Sequence, residues 1–230
     1  MISLDDEISN WRREYFQKNN KFIILQWVGY VNSNDFLKNI PTEINVINMA
    51  YATITKTGLS FDSLTRFIPE NTLKTNIKTI QKQNVKVILS ITDHQDHTWF
   101  NMDPIIFISN ILDVLDEWGF DGIDIQCNSE IIGPNEENKY EIALESLITN
   151  LRKYIKNDKL ITFTTSNSAK YNKYIIKNTS KYIDWINIII DDNNNNIQPL
   201  IDNILDNRYS LNVNNGKNIA KYVWGIKNVI

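Results

Sequence analysis

The sequence predicts an α/β protein: a compact (β/α)8 TIM barrel whose last units are reduced. Two observations favour this fold class. Short apolar segments typical of buried strands alternate with segments of helical periodicity, which indicates βαβ units and a parallel sheet. The length of 230 residues suits one barrel domain covering residues 1–230. A doubly wound open sheet is the alternative, but no Gly-rich phosphate-binding loop follows the first predicted strand.

Eight segments of the chain are predicted to be strands. The first three are nearly continuous apolar runs, as expected for strands that are covered on both faces. A helix end and a tight turn at Gly119 lead into the fourth strand. The eight strands are predicted at 21–29, 43–53, 85–91, within 118–128 after the turn at Gly119, 160–165, 183–190, 208–213 and 219–226. Almost nothing separates the last two strands, so the seventh and eighth units are expected to be reduced.

Helical periodicity predicts the connections between these strands. Residues 64–84 place Leu73, Ile77 and Ile80 on one helical face. Asp103 and Pro104 begin a helix that runs to Gly119. The clearest helix spans 137–156, and its predicted inner stripe is Ile142, Leu144, Leu147, Ile148 and Leu151. Weaker helical segments are predicted at 4–18, 33–40, 169–180 and 197–207.

Composition and charge exclude several classes of protein. A net charge of −3 does not favour a nucleic-acid or anionic-membrane partner. Cys127 is the single cysteine, so no intramolecular disulfide framework is expected. No apolar run approaches the roughly 18 residues that a membrane span needs. No signal peptide is visible, so we expect a cytoplasmic protein or one exported by a signal-independent route.

A cluster of metal-ligand residue types follows the third strand. Asp93, His94, Asp96 and His97 lie within five residues of loop. The chain contains no further histidine to complete a tetrahedral site, so we interpret the cluster as a polar loop. We expect neither a metal nor a cofactor.

Three polar residues in the fourth strand indicate the functional site. Asp124, Gln126 and Asn128 alternate with Ile123 and Ile125. Residues two apart on a strand share one face, so the three polar side chains form a column. A polar column inside a β-core is costly unless it is hydrogen-bonded, and such columns are typical of places where a ligand binds.

This strand resembles a signature of the family 18 glycoside hydrolases, the chitinases and their relatives. The family carries Asp-Gly-x-Asp-x-Asp-x-Glu, and this chain offers Asp121, Gly122, Asp124, Gln126 and Asn128. The similarity continues in order at 44–52, 87–91, 183–191 and 222–226, and so covers roughly residues 22–226. The resemblance implies a (β/α)8 barrel and a substrate class of N-acetylglucosamine-containing glycans.

The same resemblance implies a degenerate catalytic motif. The general acid of the family falls on Asn128, and the carboxylate that holds the substrate's N-acetyl group falls on Gln126. Family 18 hydrolysis is substrate-assisted and still needs one carboxylic acid to protonate the leaving oxygen. An amide does not titrate in the working range, so we expect no hydrolysis. Glu130 is the alternative acid, but it lies further out and is expected in a loop.

Further departures and candidate ligand-binding residues follow from the resemblance. Thr92 and Asp93 replace a Gly-Gly pair, and Ile190 replaces a tyrosine. Trp224 falls where the family places a tryptophan under the sugar, although it could equally plug the barrel mouth. Asp124 is either a remnant of the site or a buried carboxyl satisfied by Ser90. The candidate ligand-binding residues are Trp224, Asp191, Gln126, Asn128, Tyr51 and Trp27.

Three functional hypotheses therefore compete. The first is a lectin-like barrel that binds chitooligosaccharides or other N-acetylglucosamine-type glycans without cleaving them. The second is a non-enzymatic scaffold with a plugged pocket and a protein partner, for example an exported virulence-associated factor. The third is a residual hydrolase that uses Glu130 or Asp124.

Overall fold

The computed structural model describes residues 24–29, 37–40, 42, 44–55, 58–93, 103–126, 137–155, 158–166, 178–179, 181–189 and 223–224. These residues form a curled, mostly parallel sheet with helices packed against its outer face. None of the helices described in these ranges is long and apolar enough to cross a bilayer.

The strands agree with most of the predicted segments. They are β1 Ile24–Val28, β2 Val46–Thr55, β3 Gly58–Ser60, β4 Lys86–Thr92, β5 Gly122–Gln126, β6 Leu160–Ser166, β7 Trp185–Ile189 and β8 Val223–Trp224. Their order across the sheet is β7-β6-β5-β4-β2-β1-β8, and every pair along this path is parallel. Within the described ranges no ladder joins β7 to β8, so the sheet is a curled partial barrel and not the closed barrel that the sequence predicts. The strand predicted at 208–213 lies outside these ranges.

The region after β2 differs from the prediction. The chain turns back in the short antiparallel strand β3 and then forms a single turn of helix, α1 Asp62–Thr65. The next helix, α2 Glu70–Gln81, begins only after Pro69. The predicted continuous helix over 64–84 is therefore wrong at its start. Proline lacks a backbone N–H and disfavours helical dihedral angles in the residue before it, so one continuous helix cannot run through Pro69, and α2 begins at Glu70.

Helices α3 Pro104–Trp118 and α4 Glu137–Ile155 confirm the helices predicted from Asp103 to Gly119 and over 137–156. The weaker segments 4–18 and 197–207, and most of 33–40 and 169–180, lie outside the described residues. The Asp103 side chain accepts the N–H groups of the first turn of α3, at 2.8 and 3.3 Å. Gly119 ends this helix with φ of 75°, a left-handed conformation that glycine adopts without steric cost. Ile142 was expected on the inner stripe of α4 but is 62% exposed. Tyr140 takes the inner position instead, because it lies four residues before the buried Leu144.

Two apolar layers enclose the sheet. The large outer core fills the space between the strands and the helices. A smaller inner cluster covers the concave face of the sheet near the amino ends of its strands and consists of Ile24, Val46, Ile88, Leu160 and Trp185. Polar side chains on the concave face therefore begin directly above an apolar base.

Candidate functional site

A group of five hydrogen-bonded side chains, here termed the inner polar cluster, lies above this apolar base. Its members come from four neighbouring strands and are Ser90, Asp124, Thr162, Thr164 and Asn187. The Asp124 carboxyl accepts bonds from Ser90 Oγ at 2.7 Å, Thr162 Oγ1 at 2.6 Å and Asn187 Nδ2 at 3.1 Å. Thr164 Oγ1 lies 2.8 Å from both carboxyl oxygens of Asp124. Asp124 is therefore the centre of a saturated network.

The protonation of Asp124 follows from this setting. Burial raises the pKa of the carboxyl above its ordinary value of 3.8, because the charged form loses its hydration. Hydrogen bonds from Thr162, Ser90, Thr164 and Asn187 lower the pKa and offset part of that rise. The network thus holds a carboxyl group whose neutral form is favoured by burial and whose lone pairs are already occupied.

Two further polar residues on the concave face carry carbonyl oxygens without a partner. Gln126 shares the face of Asp124 and lies between Thr92 and Thr164 in the strand register. Asn48, 3% exposed, lies on β2 opposite Gln26 of β1. Gln126 Oε1 and Asn48 Oδ1, here termed the open acceptors, have no hydrogen-bond partner within the described structure. A buried acceptor left unpaired costs about 1–3 kcal/mol, so a bound donor group would be stabilising at either oxygen.

Tyr51 lies at an irregularity of β2. The pairing of β2 with β4 shifts between Ala50 and Ala52, and the peptide bond between Ala50 and Tyr51 is cis. A bulge of this kind redirects a side chain relative to the regular strand pattern. The Tyr51 hydroxyl accepts a hydrogen bond from Gln26 Nε2. Tyr51, a predicted ligand-binding residue, is therefore joined to a concave-face residue of β1.

Trp27, another predicted ligand-binding residue, lies elsewhere. It is completely buried in the outer core, between the sheet and the helices. Its position on β1 is one residue from Gln26, so the two side chains point to opposite faces of the sheet. The expectation that Trp27 contacts a ligand at the end of β1 does not agree with this placement, which is that of a core residue.

Asp121, the first acid of the degenerate motif, occupies the opposite end of the sheet from Gln126. Its carboxylate accepts the backbone N–H of Val87 at 2.9 Å, Gln81 Nε2 at 2.8 Å and Lys86 Nζ at 2.8 Å. Its own backbone N–H donates to Val87 O at 2.8 Å. Asp121 thus extends the parallel ladder between β4 and β5 by one more pair of bonds and has a structural role.

Asp184 repeats this arrangement two strands further along. It precedes β7 and exchanges bonds with Ile161 of β6: its carboxylate accepts the Ile161 N–H, and its N–H donates to the Ile161 carbonyl, both at 2.7 Å. Arg152 of α4 provides the cation, with Nη2 lying 2.6 Å from Asp184 Oδ2. Asp121 and Asp184, with their cations Lys86 and Arg152, are here termed the edge clamps.

Several predicted site residues lie outside the described ranges. They are Asn128, Glu130, Asp191, His94, Asp96, His97 and Cys127. Only the backbone of Trp224 is described; it lies on β8 and pairs with Leu25 of β1. Among the described residues no group of three or more His, Cys, Asp or Glu side chains could hold a metal ion.

The sequence interpretation missed most of the inner polar cluster and one open acceptor. Thr162, Thr164, Asn187 and Asn48 were not singled out. Each is a polar residue with an apolar neighbour in its strand, which is the same signal that identified Asp124 and Gln126. Arg152 carried a comparable signal, since it is a charged residue next to the buried stripe of α4.

Comparison with known proteins adds the family relationship. Residues 24–222 match the family model of glycosyl hydrolases family 18. A chitinase from Plasmodium falciparum (isolate 3D7) is 26% identical over 177 residues, which cover 67% of this chain and 45% of that protein. The chain therefore spans less than half the length of this curated relative.

Solved structures show the same fold. A GH18 chitinase from Pseudoalteromonas aurantia superimposes with a TM-score of 0.63 at 16% identity, covering 83% of this chain and 74% of that chain. Human YKL-39, described as a pseudo-chitinase with retained chitooligosaccharide binding properties, gives a TM-score of 0.56 at 16% identity, covering 73% of this chain and 50% of that chain. At such identities the likeness establishes a TIM-barrel-like fold and nothing more.

Proposed function

Because the chain belongs to glycosyl hydrolase family 18, we propose that it is a chitinase-like carbohydrate-binding protein that does not hydrolyse its ligand. The observation that carries the proposal is Gln126. It stands where the family motif has a carboxylate, and its carbonyl oxygen is buried without a partner. This oxygen can accept a hydrogen bond from a sugar amide or hydroxyl, yet it brings no negative charge to a developing cation.

The chemistry of the remaining groups supports the loss of hydrolysis. The resemblance assigns the general acid to Asn128, which cannot supply a proton. Asp124 is the one carboxyl of the inner polar cluster, and its oxygens are occupied by four donor residues of the protein. A ligand would have to displace these donors before Asp124 could act as its acid or base.

The inner polar cluster is too deeply buried to hold the proposed ligand itself. Asp124 and Asn187 lie on the concave face and are shielded from solvent. The proposed ligand therefore lies above them, at the carboxyl ends of the strands, where barrel sites are built.

The proposed ligand is a chitooligosaccharide or a related N-acetylglucosamine-type glycan. The description of human YKL-39 as a pseudo-chitinase with retained chitooligosaccharide binding properties supports such a combination within this fold. In our proposal Gln126 and Tyr51 contribute to the site, together with Asn128, Asp191 and Trp224 as the sequence predicts. Trp27 is left out because it faces the outer core.

A fluorescence titration tests binding. Tryptophan emission of the full chain would be followed during addition of chitotetraose, and of maltotetraose as the control sugar. We expect saturable quenching by chitotetraose alone. Trp224→Ala should lose the quenching, and Gln126→Ala should weaken binding by about tenfold, the equivalent of one hydrogen bond of roughly 1.4 kcal/mol. Wild-type emission that stays constant up to millimolar chitotetraose would refute the glycan-binding proposal.

A hydrolysis assay tests inactivity separately. Chitotetraose would be incubated with the wild type and with the double variant Gln126→Asp/Asn128→Glu, and the products would be separated by chromatography. We expect no products from the wild type. The double variant restores both acids of the family motif and should gain activity, since general acid catalysis contributes about 10²–10⁴-fold. Products released by the wild type and abolished in Glu130→Gln would show that Glu130 is the acid.

One observation favours the scaffold as a second candidate. The inner polar cluster is almost fully buried by protein groups, as expected for a pocket that is plugged. In that case chitotetraose would not bind, and the fold would remain stable when Gln126 is replaced. The titration above therefore separates the two candidates.

A further inference from the structure

The outer sides of α3 and α4 differ from that of α2. Most of the large apolar side chains that are exposed in the described structure belong to α3 and α4, namely Ile105, Ile106, Ile142 and Tyr154. The exposed residues of α2 are all polar, as is usual for a helix that faces water. Because α3 and α4 pack against each other, their exposed sides form one surface, here termed the two-helix face. An exposed apolar surface of this kind is typical of an interaction site.

The isoleucines of the two-helix face lie at one level of the sheet. Gly122 of β5 pairs in register with Leu160 of β6, and α3 and α4 each end a few residues before these strands. Ile105 and Ile142 both lie thirteen residues before the last residue of their helix. At 1.5 Å per residue, both are about 20 Å from that helix end. The apolar part of the face is therefore continuous across the two helices, near the carboxyl end of the sheet.

The opposite end of α3 carries negative charge. Asp113, Asp116 and Glu117 lie in its last two turns, and the helix has no basic residue. Negative charge at this end opposes the helix dipole, which favours cations there. Lys159 pairs with Asp116, and Lys74 pairs with Glu117. Asp113 is exposed and has no ion pair with any residue that the structure describes.

The corresponding end of α4 carries positive charge. Lys153 lies in its last turn, is exposed and donates to Asn150 Oδ1 at 3.2 Å, but it forms no ion pair within the described ranges. Lys153 follows Ile142 by about three helical turns, so the two side chains share one side of α4. Asp113 likewise follows Ile106 by about two turns. Each helix thus presents an isoleucine and one unpaired charge, negative on α3 and positive on α4.

From these observations we infer that the two-helix face binds a second copy of this chain in a two-fold symmetric dimer. A surface that carries both members of an ion pair beside an apolar patch is complementary to itself, whereas a partner of a single charge sign would be repelled by one helix. With the axis parallel to the helices, α3 of one protomer lies on α4 of the other, and symmetry repeats the contact. Ile105 and Ile106 then pack on Ile142 of the partner subunit, and Asp113 meets Lys153 of the partner subunit.

The dimer goes beyond the proposed glycan-binding function and does not depend on it. The two-helix face lies on the outside of the helices, whereas the proposed glycan site lies at the carboxyl ends of the strands. Because the symmetry axis runs along the helices, the carboxyl ends of both sheets face the same side of the dimer.

Sedimentation equilibrium of the full chain, from about 5 to about 500 μM, tests for the dimer. We expect the mass to rise from 26.9 kDa toward twice this value with concentration. Ile142→Asp places a charge in the apolar part of both symmetric contacts and should raise the dimer dissociation constant about tenfold or more. Phe67→Asp is the matched control, because Phe67 is an exposed large apolar residue outside the two-helix face. It should leave the constant unchanged.

A charge exchange tests which helix meets which. Asp113→Lys leaves positive charge on both helices and Lys153→Asp leaves negative charge on both, so each variant alone should remain monomeric. Mixed together, the two variants should form a heterodimer, because opposite charges then meet in both contacts. Lys78→Asp on the polar outer side of α2 is the control and should dimerise like the wild type.

Three results would overturn the inference. One is a wild type that stays monomeric at the highest concentration. Another is a dimer that Ile142→Asp and both charge variants leave intact, since its interface would lie elsewhere. The third is the absence of a heterodimer from the two monomeric charge variants, which would contradict the contact of α3 with α4. All substituted side chains are exposed, so circular dichroism readily checks that the variants fold.

Discussion

The amino edge of the parallel sheet and its concave face use polar residues in opposite ways. At the amino end, the carboxylates of Asp121 and Asp184 accept a backbone N–H of the preceding strand and bind a cation. On the concave face, Gln126 at the carboxyl end of β5 and Asn48 within β2 keep carbonyl oxygens that nothing in the described structure satisfies. The carboxylates of the edge clamps therefore have their hydrogen-bond partners, whereas the open acceptors have none within the described structure.

This difference separates residues that serve the fold from residues that serve a ligand. An edge clamp adds a side-chain bond to the end of a ladder and fixes the start of the next strand. An open acceptor contributes nothing comparable to the folded state and even costs free energy. Proteins retain such unfavourable groups at functional sites, where a bound molecule supplies the missing partner. The comparison therefore predicts that stability and binding respond to different substitutions.

Removing an edge clamp should give the largest loss of stability. Asp184→Ala leaves the buried Arg152 guanidinium without its carboxylate and the Ile161 N–H without its acceptor. Breaking one partner of a buried pair costs about 3–5 kcal/mol. Urea denaturation followed by circular dichroism measures this change. The control is Asp116→Ala, whose side chain is 77% exposed in its pair with Lys159, and it should change stability by less than about 0.5 kcal/mol. Equal losses in both variants would contradict the structural role of the clamp.

Much of the fold could be predicted from the sequence because strand and helix patterns are local. Buried parallel strands are apolar throughout, so seven of the eight described strands fall within or beside a predicted segment. The hairpin strand β3 was missed, since its three residues are too few to show a pattern. Ile142 was misplaced because a helix rich in isoleucine and leucine offers more apolar residues than its inner stripe can hold.

The site was only partly predictable, because its contacts join residues far apart in the chain. The alternation in β5 correctly placed Asp124 and Gln126 on one face. The partners of Asp124 lie 34 to 63 residues away in the sequence, and nothing local marks Thr162 or Asn187 as its donors. Asp121 shows the converse problem. It belongs to the motif by sequence, yet its contacts are those of an edge clamp.

A substitution inside the inner polar cluster should change the free energy of unfolding by an intermediate amount, and this change should depend on pH. Burial raises the folded pKa of Asp124 above its ordinary value of 3.8, so the folded protein binds the proton more tightly than the unfolded chain. The stabilising contribution of Asp124 to folding is fully present below pH 3.8 and is lost as pH rises through the folded pKa. Asp124→Asn removes the titration and preserves the side-chain shape.

We therefore expect the stability of Asp124→Asn relative to wild type to increase as pH rises from about 4 to 7. Urea denaturation of both proteins at several pH values gives the difference between their free energies of unfolding. The titration of all other groups contributes equally to both proteins and cancels in this difference. A relative stability that stays constant over this range would contradict the assignment of a raised pKa to Asp124.

The smallest change in stability is expected at an open acceptor. Substitution there should stabilise the protein or leave it unchanged, whereas substitution at an edge clamp should destabilise it. Asn48→Leu replaces an unpartnered buried oxygen with apolar atoms of similar volume, so stability should stay constant or rise by up to about 1 kcal/mol. Thr164→Val is the matched isosteric variant in the inner polar cluster. It removes the hydroxyl that bonds to both oxygens of Asp124 and should lower stability by about 1–3 kcal/mol. Thermal and urea unfolding of the two variants rank them directly. If Asn48→Leu proved more destabilising than Thr164→Val, Asn48 would be supporting the fold, and the contrast between the open acceptors and the satisfied groups of the sheet would no longer hold.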